Sequence, residues 1–142
     1  MWVDKIEFTP IGIVRREEPH IHRDMETLRR SIAIIEVFPD YVDGLKHIEE
    51  NNFIWVLWYA HLSRATDILE VHPMGDVSRP KIGVFASRSP LRVNNIMLSL
   101  VKLIERRGSI LRVVGLDAYD GSPVIDIKPY SPNLDDPDAI RD

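Results

Sequence analysis

Hydrophobic positions along this chain fall in short runs divided by turn-forming residues, a pattern of many short strands rather than long helices. Ile6–Val14 reads as a first strand, in which Pro10 and Gly12 mark a bend or a sheet edge. Ser31–Phe38 (SIAIIEVF), rich in β-branched residues, reads as a second. Phe53–Ala60 (FIWVLWYA) is continuously apolar, so this third strand is expected to be covered on both faces, by a barrel interior and by a helix, loop or second subunit. Further strands are expected over Ile68–Val71, Ile82–Ala86, Ser109–Leu116 and Val124–Ile127. Tyr41–Glu50 is amphipathic and predicts one short helix capped by Asp40. Asn95–Glu105 fits a helix or a long strand, and the strand is favoured because the Arg106, Arg107, Gly108 turn then joins it to Ser109–Leu116 as a hairpin. The fold class expected is mainly β, a single small β-barrel with one short helix, with the barrel over 1–132 and an acidic tail over 133–142.

Length and composition narrow this picture. The 142 residues suffice for one core, and the chain has no cysteine, which excludes disulfides, thiolate nucleophiles and cysteine zinc sites. The apolar run Ile54–Ala60 falls well short of the roughly 20 residues that span a bilayer, and MWVDKIEF lacks the basic-then-apolar form of a secretory signal. No membrane association and a cytoplasmic location are expected. The net charge of −4 is unevenly spread: residues 1–78 hold 8 Lys and Arg against 14 Asp and Glu, 79–128 hold 9 against 4, and 129–142 hold 1 against 4. A basic central block inside an acidic chain points to an anionic partner, although exposed faces also collect cations for solubility.

Polar chemistry concentrates in two places. In KIGVFASRSPLRVNN (81–95), Arg88 and Arg92 crowd one loop, and a guanidinium there suits bidentate binding of a carboxylate or phosphate. In GLDAYDGSPVIDIKPY (115–130), Asp120-Gly121 signals a tight turn flanked by Asp117, whose amides and carboxylates suit a nucleoside. Strand alternation puts Asp126 and Lys128 on one face, as a site pair if that face is a cleft and as a surface pair if it meets solvent. His61 stands where the buried third strand emerges. His20 and His22 alternate as some metal ligands do, but two ligands are too few, and no metal site is expected. Dinucleotide, phosphate-loop, serine-hydrolase and zincin signatures are absent.

Together GVFASRSPLRVNN, SLVKL, GLDAYDGSPVIDIKPYSP and the upstream GLKHIEENNFIWVLWYAH resemble the TsaA-like (TrmO) family of β-barrel methyltransferases, from about Ile11 to Pro132. The resemblance implies a barrel that binds S-adenosylmethionine at a site completed across a homodimer, and methylation of the exocyclic amino nitrogen of threonylcarbamoyl-adenosine in tRNA. Carried over, it assigns cofactor contacts to His61, Leu62, Arg88, Leu98, Ala118, Tyr119, Asp120 and Gly121. The chain reads RVNNIMLS where the family commonly reads RPNPIGMS, replacing two prolines and a glycine by Val93, Asn95 and Met97. The family's Pro-Arg-Gln segment has no clear counterpart; His20, His22 and Arg23 are the candidates for its space.

A carbamoylated adenine nitrogen is a weak nucleophile, so a proton acceptor is expected. Asp126, Tyr130 and His61 are the catalytic candidates, with Lys128 and Asn94 as orienting groups. Arg79, Lys81, Arg92, Arg106, Arg107 and Arg112 are the candidates for tRNA phosphates. The rival expectation is a binding or sensing module that holds S-adenosylmethionine or a related nucleoside without transferring the methyl group.

Overall fold

Alternating side chains decide which face of each strand turns inward. In a computed structural model that describes residues 3–17 and 24–140, β1 (Gly12–Arg15), β2 (Ile32–Val37) and β3 (Phe53–Tyr59) bury every second residue. The two-residue strands β4 (Glu70–Val71) and β5 (Ile82–Gly83) pair with each other in the long excursion that follows β3. β6 (Ile96–Arg107), β7 (Ile110–Val114) and β8 (Pro123–Pro129) complete the set. The six longer strands close into a barrel in the order β1-β2-β7-β6-β3-β8, with every neighbouring pair antiparallel.

Val14, Ile35, Ile54, Val56, Leu111, Val113 and Val124 fill the interior and are fully buried. Each contributes about 1.5–3 kcal/mol of apolar burial. Closure depends on Gly12, which pairs with Val37 on one side and Val124 on the other. A Cβ there would stand 2.5 Å from the Glu36 carbonyl oxygen, closer than two unbonded heavy atoms approach.

Several expectations are corrected. The first strand begins at Gly12, not Ile6: Pro10 offers no N–H, and regular pairing starts after Ile11, whose N–H meets the Val124 carbonyl at 2.8 Å. The chain before it lies over an apolar cleft lined by Tyr59, Ile96 and Ile125. The helix expected over Tyr41–Glu50 is instead two 3₁₀ segments, Pro39–Leu45 and Ile48–Glu50, separated by His47 at φ +70°. Phe38 rather than Asp40 holds the capping position, with no side-chain cap. The regular helices are α1 (Met25–Arg30), capped by Asp24 on the Thr27 N–H at 2.8 Å, and the short α2 (Pro132–Asp135). Within the single chain β3 is fully buried on its inner face, while outward Trp55 and Leu57 are half-exposed and Phe53 is exposed. The stretch expected as a long strand over Asn95–Glu105 is strand over Ile96–Arg107, so Asn95 precedes it and Arg106 and Arg107 extend it up to the turn at Gly108.

The antiparallel order has a positional consequence. The ends of β1, β3 and β7 and the starts of β2, β6 and β8 gather at one mouth. The β6–β7 turn, the start of β3 and the end of β8 gather at the other.

Candidate functional site

Arg16, just past β1, organises the first half of the mouth. Its Nε donates to the Ala118 carbonyl at 2.7 Å, Nη1 to Ser31 Oγ at 3.0 Å, and Nη2 to the Leu116 carbonyl. Its backbone N–H donates to Asp120 Oδ1 at 2.8 Å, and the Gly121 N–H reaches the Val14 carbonyl at 2.8 Å. The turn that carries Ala118, Tyr119, Asp120 and Gly121 is therefore tied to the end of β1. Burial lowers the Arg16 pKa from its ordinary value, opposed by the carboxylates of Asp117 and Asp120. The sequence reading passed over Arg16 because nothing local marks it.

His61 faces the same turn. A Cβ at Gly121, where φ is +83°, would lie 3.5 Å from His61 Nε2. Ser122 Oγ donates to the Tyr119 carbonyl at 2.7 Å and lies 3.3 Å from His61 Nδ1. Ser122 Oγ therefore sits beside Nδ1, while Nε2 lies toward Gly121. Behind them a buried relay runs from Trp58 Nε1 to Ser99 Oγ at 2.9 Å and from Ser99 Oγ to Asp117 Oδ1 at 2.7 Å.

Arg88 reaches the mouth from the excursion. β6 pairs with β7 only from Lys102 onward, and Arg88 Nη2 donates to the Leu98 carbonyl on the stretch beyond that pairing, at 2.6 Å. The guanidinium is otherwise exposed, and Leu62 and Leu98 present apolar side chains at 53% and 39% exposure. A cation with unspent donors, apolar surface and a hairpin turn of fixed backbone form a donor set that fits an amino-acid carboxylate joined to a nucleoside.

His61 thus meets the turn that carries Ala118, Tyr119, Asp120 and Gly121, with Leu62 next to it in sequence. Arg88 meets the backbone of Leu98 near the start of β6 at the same end of the barrel, the Leu98 side chain turning outward beside Leu57. Others lie apart. Asp126 is on the outer wall, where its carboxylate pairs with Lys128 at 3.1 Å and accepts the Ile127 N–H at 2.9 Å; both side chains are substantially exposed, the surface pair of the two alternatives. Tyr130 follows β8 at the opposite end, where its N–H meets the Phe53 carbonyl. Asn94 is exposed beside the apolar cleft at Tyr59.

The basic block does not form one phosphate-facing patch. Arg92 donates to the Ser87 and Ser89 carbonyls, Arg106 to those of Leu45 and Gly108, while Arg107 and Arg112 both pair with Glu105. Arg106 and Arg107 also lie at the far end. Arg79 and Lys81 are exposed in the excursion. No cluster that could hold a metal occurs among the described residues, and His20, His22 and Arg23 lie outside them. No helix among the described residues is long and apolar enough to cross a membrane.

Comparison with known proteins gives this geometry a context. The model of the tRNA-methyltransferase O N-terminal domain matches residues 15–136. An S-adenosyl-L-methionine-binding protein of Archaeoglobus fulgidus is 43% identical over 129 residues, covering 89% of this chain and 90% of the relative. The mouse tRNA (adenine(37)-N6)-methyltransferase is 35% identical over 104 residues, 73% of this chain and 24% of that enzyme. A crystal structure of TrmO from Pseudomonas aeruginosa superposes with a TM-score of 0.72 at 29% identity, over 96% of this chain and 61% of that one.

Proposed function

The chain belongs to the tRNA-methyltransferase O N-terminal domain family, and from that premise we propose that it binds S-adenosylmethionine at the barrel mouth and methylates an adenine amino nitrogen in tRNA. The observation that carries this is the gathering of Arg88, His61 and the Arg16-tethered turn 118–121 at one end of the barrel. Arg88 holds the carboxylate of the methionine moiety. Turn residues Ala118, Tyr119, Asp120 and Gly121 hold the nucleoside, with Leu62 and Leu98 against its apolar surfaces. When bound, S-adenosylmethionine supplies a methyl group already activated by its sulfonium.

The chain's remaining task is to orient the acceptor and take its proton. His61 is the base: of the three catalytic candidates it alone lies at the mouth, with Ser122 Oγ beside its Nδ1. The acceptor is the exocyclic nitrogen of threonylcarbamoyl-adenosine, the tRNA phosphates meet Arg79 and Lys81, and the protein acts in the cytoplasm as a homodimer. The barrel domain of 1–132 is the working unit, with 133–142 as a tail. Transfer of labelled methyl from S-adenosylmethionine into tRNA tests this. Uptake is expected to fall about tenfold in Lys81→Glu and to persist in Arg106→Gln, since Arg106 is spent on carbonyls at the far end.

The second reading, a module that binds the donor without transferring its methyl, draws support from the Archaeoglobus relative, which is named for binding and is covered over 90% of its length. Donor binding by calorimetry with no label transfer to a tRNA pool carrying the modified adenosine would select it. Absence of both would exclude both.

A further inference from the structure

Residue 95 joins two loops that flank the mouth. Asn95 is fully buried with φ +50°, a left-handed conformation that asparagine tolerates better than most residues bearing a Cβ. Both protons of its amide nitrogen are used. One goes to the Arg64 carbonyl at 3.0 Å, three positions beyond His61, and the other to the Pro90 carbonyl at 2.6 Å, two positions beyond Arg88. Its own carbonyl accepts the N–H of Ala60, the residue before His61, at 3.0 Å. Arg92 closes the Arg88 loop on itself through the Ser87 and Ser89 carbonyls, and another bond between the loops, from the Thr66 N–H to the Arg92 carbonyl, is long at 3.4 Å.

We infer that Asn95 is a positioning residue: its amide sets the spacing between the His61 loop and the Arg88 loop, and thereby the distance across which the donor is held. The inference rests on the proposed donor site. Asparagine meets three requirements at once, namely a left-handed backbone, two donors on one atom and a short reach. Aspartate has no N–H to offer, glutamine adds a methylene, and glycine accepts the backbone but brings no amide. Asn95 Oδ1 has no hydrogen-bond partner among the described residues, so the side chain is held by its two donated bonds. The sequence departure at this position matters for the same reason, because a proline has its φ locked near −65° and cannot adopt the conformation seen here.

Asn95→Gly separates the latch from the backbone, since glycine keeps the left-handed turn while deleting both bonds. Asn95→Asp is the second variant, matching the shape without the donors. Titration of the 142-residue chain with S-adenosylmethionine is expected to show Kd raised at least tenfold in both. Hydrogen exchange is expected to quicken together in residues 61–66 and 87–94, with β2 and β7 unchanged. A wild-type Kd in Asn95→Gly, or exchange unchanged in either loop, would overturn the inference. If the wild-type chain binds no donor, the donor reading itself fails, and paired quickening of exchange would then leave Asn95 a structural latch only.

Discussion

Arg16 shows how one side chain can hold a site it never advertises. Its guanidinium and backbone engage Leu116, Ala118 and Asp120, residues 100 to 104 positions away, so no local spacing reveals it. Arg88, by contrast, was legible because it crowds Arg92 in one loop. Arg16→Ala leaves two carbonyls without their donor, and hydrogen bonds to charged groups are worth about 1.5–3 kcal/mol each. A stability loss of about 2–4 kcal/mol in urea unfolding is expected, together with weaker S-adenosylmethionine binding as the turn loosens. Donor affinity and stability both at wild-type values would show that the turn is held by other means. The opposite case is Glu105, which takes up both Arg107 and Arg112. Hydrogen bonding from Arg112, aided by the nearby charge of Arg107, lowers its pKa from the ordinary glutamate value, so two cations that looked free for phosphate are already partnered.

At the scale of elements, the strands that alternate were readable and the irregular segments were not. β2 and β3 repeat every second residue, whereas Tyr41–Glu50 has helical periodicity but is broken by His47 in a left-handed conformation. The acidic tail also gains structure from a distant contact. In α2, Asp135 accepts the Ser131 N–H and the Trp55 indole N–H at 2.8 and 2.9 Å, docking the segment on β3. The Ser131 N–H, followed by Trp55, lowers the Asp135 pKa from the ordinary aspartate value. A lowered folded-state pKa means that this docking is at full strength above the usual aspartate range and is lost as pH falls through the lowered value. Acid titration followed by tryptophan fluorescence is therefore expected to show a transition below the usual aspartate range that Asp135→Asn removes. A transition retained unchanged in that variant would assign it to another carboxylate.

Across the whole molecule, the outer wall of β3 and β6 stands out. Leu98, Leu100 and Ile104 are 39–42% exposed and Phe53 is 45% exposed, and the register sets Trp55 against Leu100 and Leu57 against Leu98. A contiguous apolar strip of this kind beside the site suits a second copy of the chain, which would also supply the cover expected for the FIWVLWYA strand. Leu100→Arg is expected to convert a dimer to a monomer in light scattering and to weaken donor binding if the site is shared. A wild-type chain that is monomeric at working concentration would sink the homodimer. The number and placement of most strands, the two turns rich in chemistry and the uneven charge were determined by the sequence alone, because side-chain alternation and turn preferences act over a few neighbouring residues. Tertiary structure decided the rest: that Tyr130 and Arg106 lie at the end opposite His61, that Asp126 faces outward, and that Arg16 and Asn95 tie the mouth together. Those facts follow from barrel closure, which sets contacts between residues more than a hundred positions apart and leaves no local pattern from which to read them.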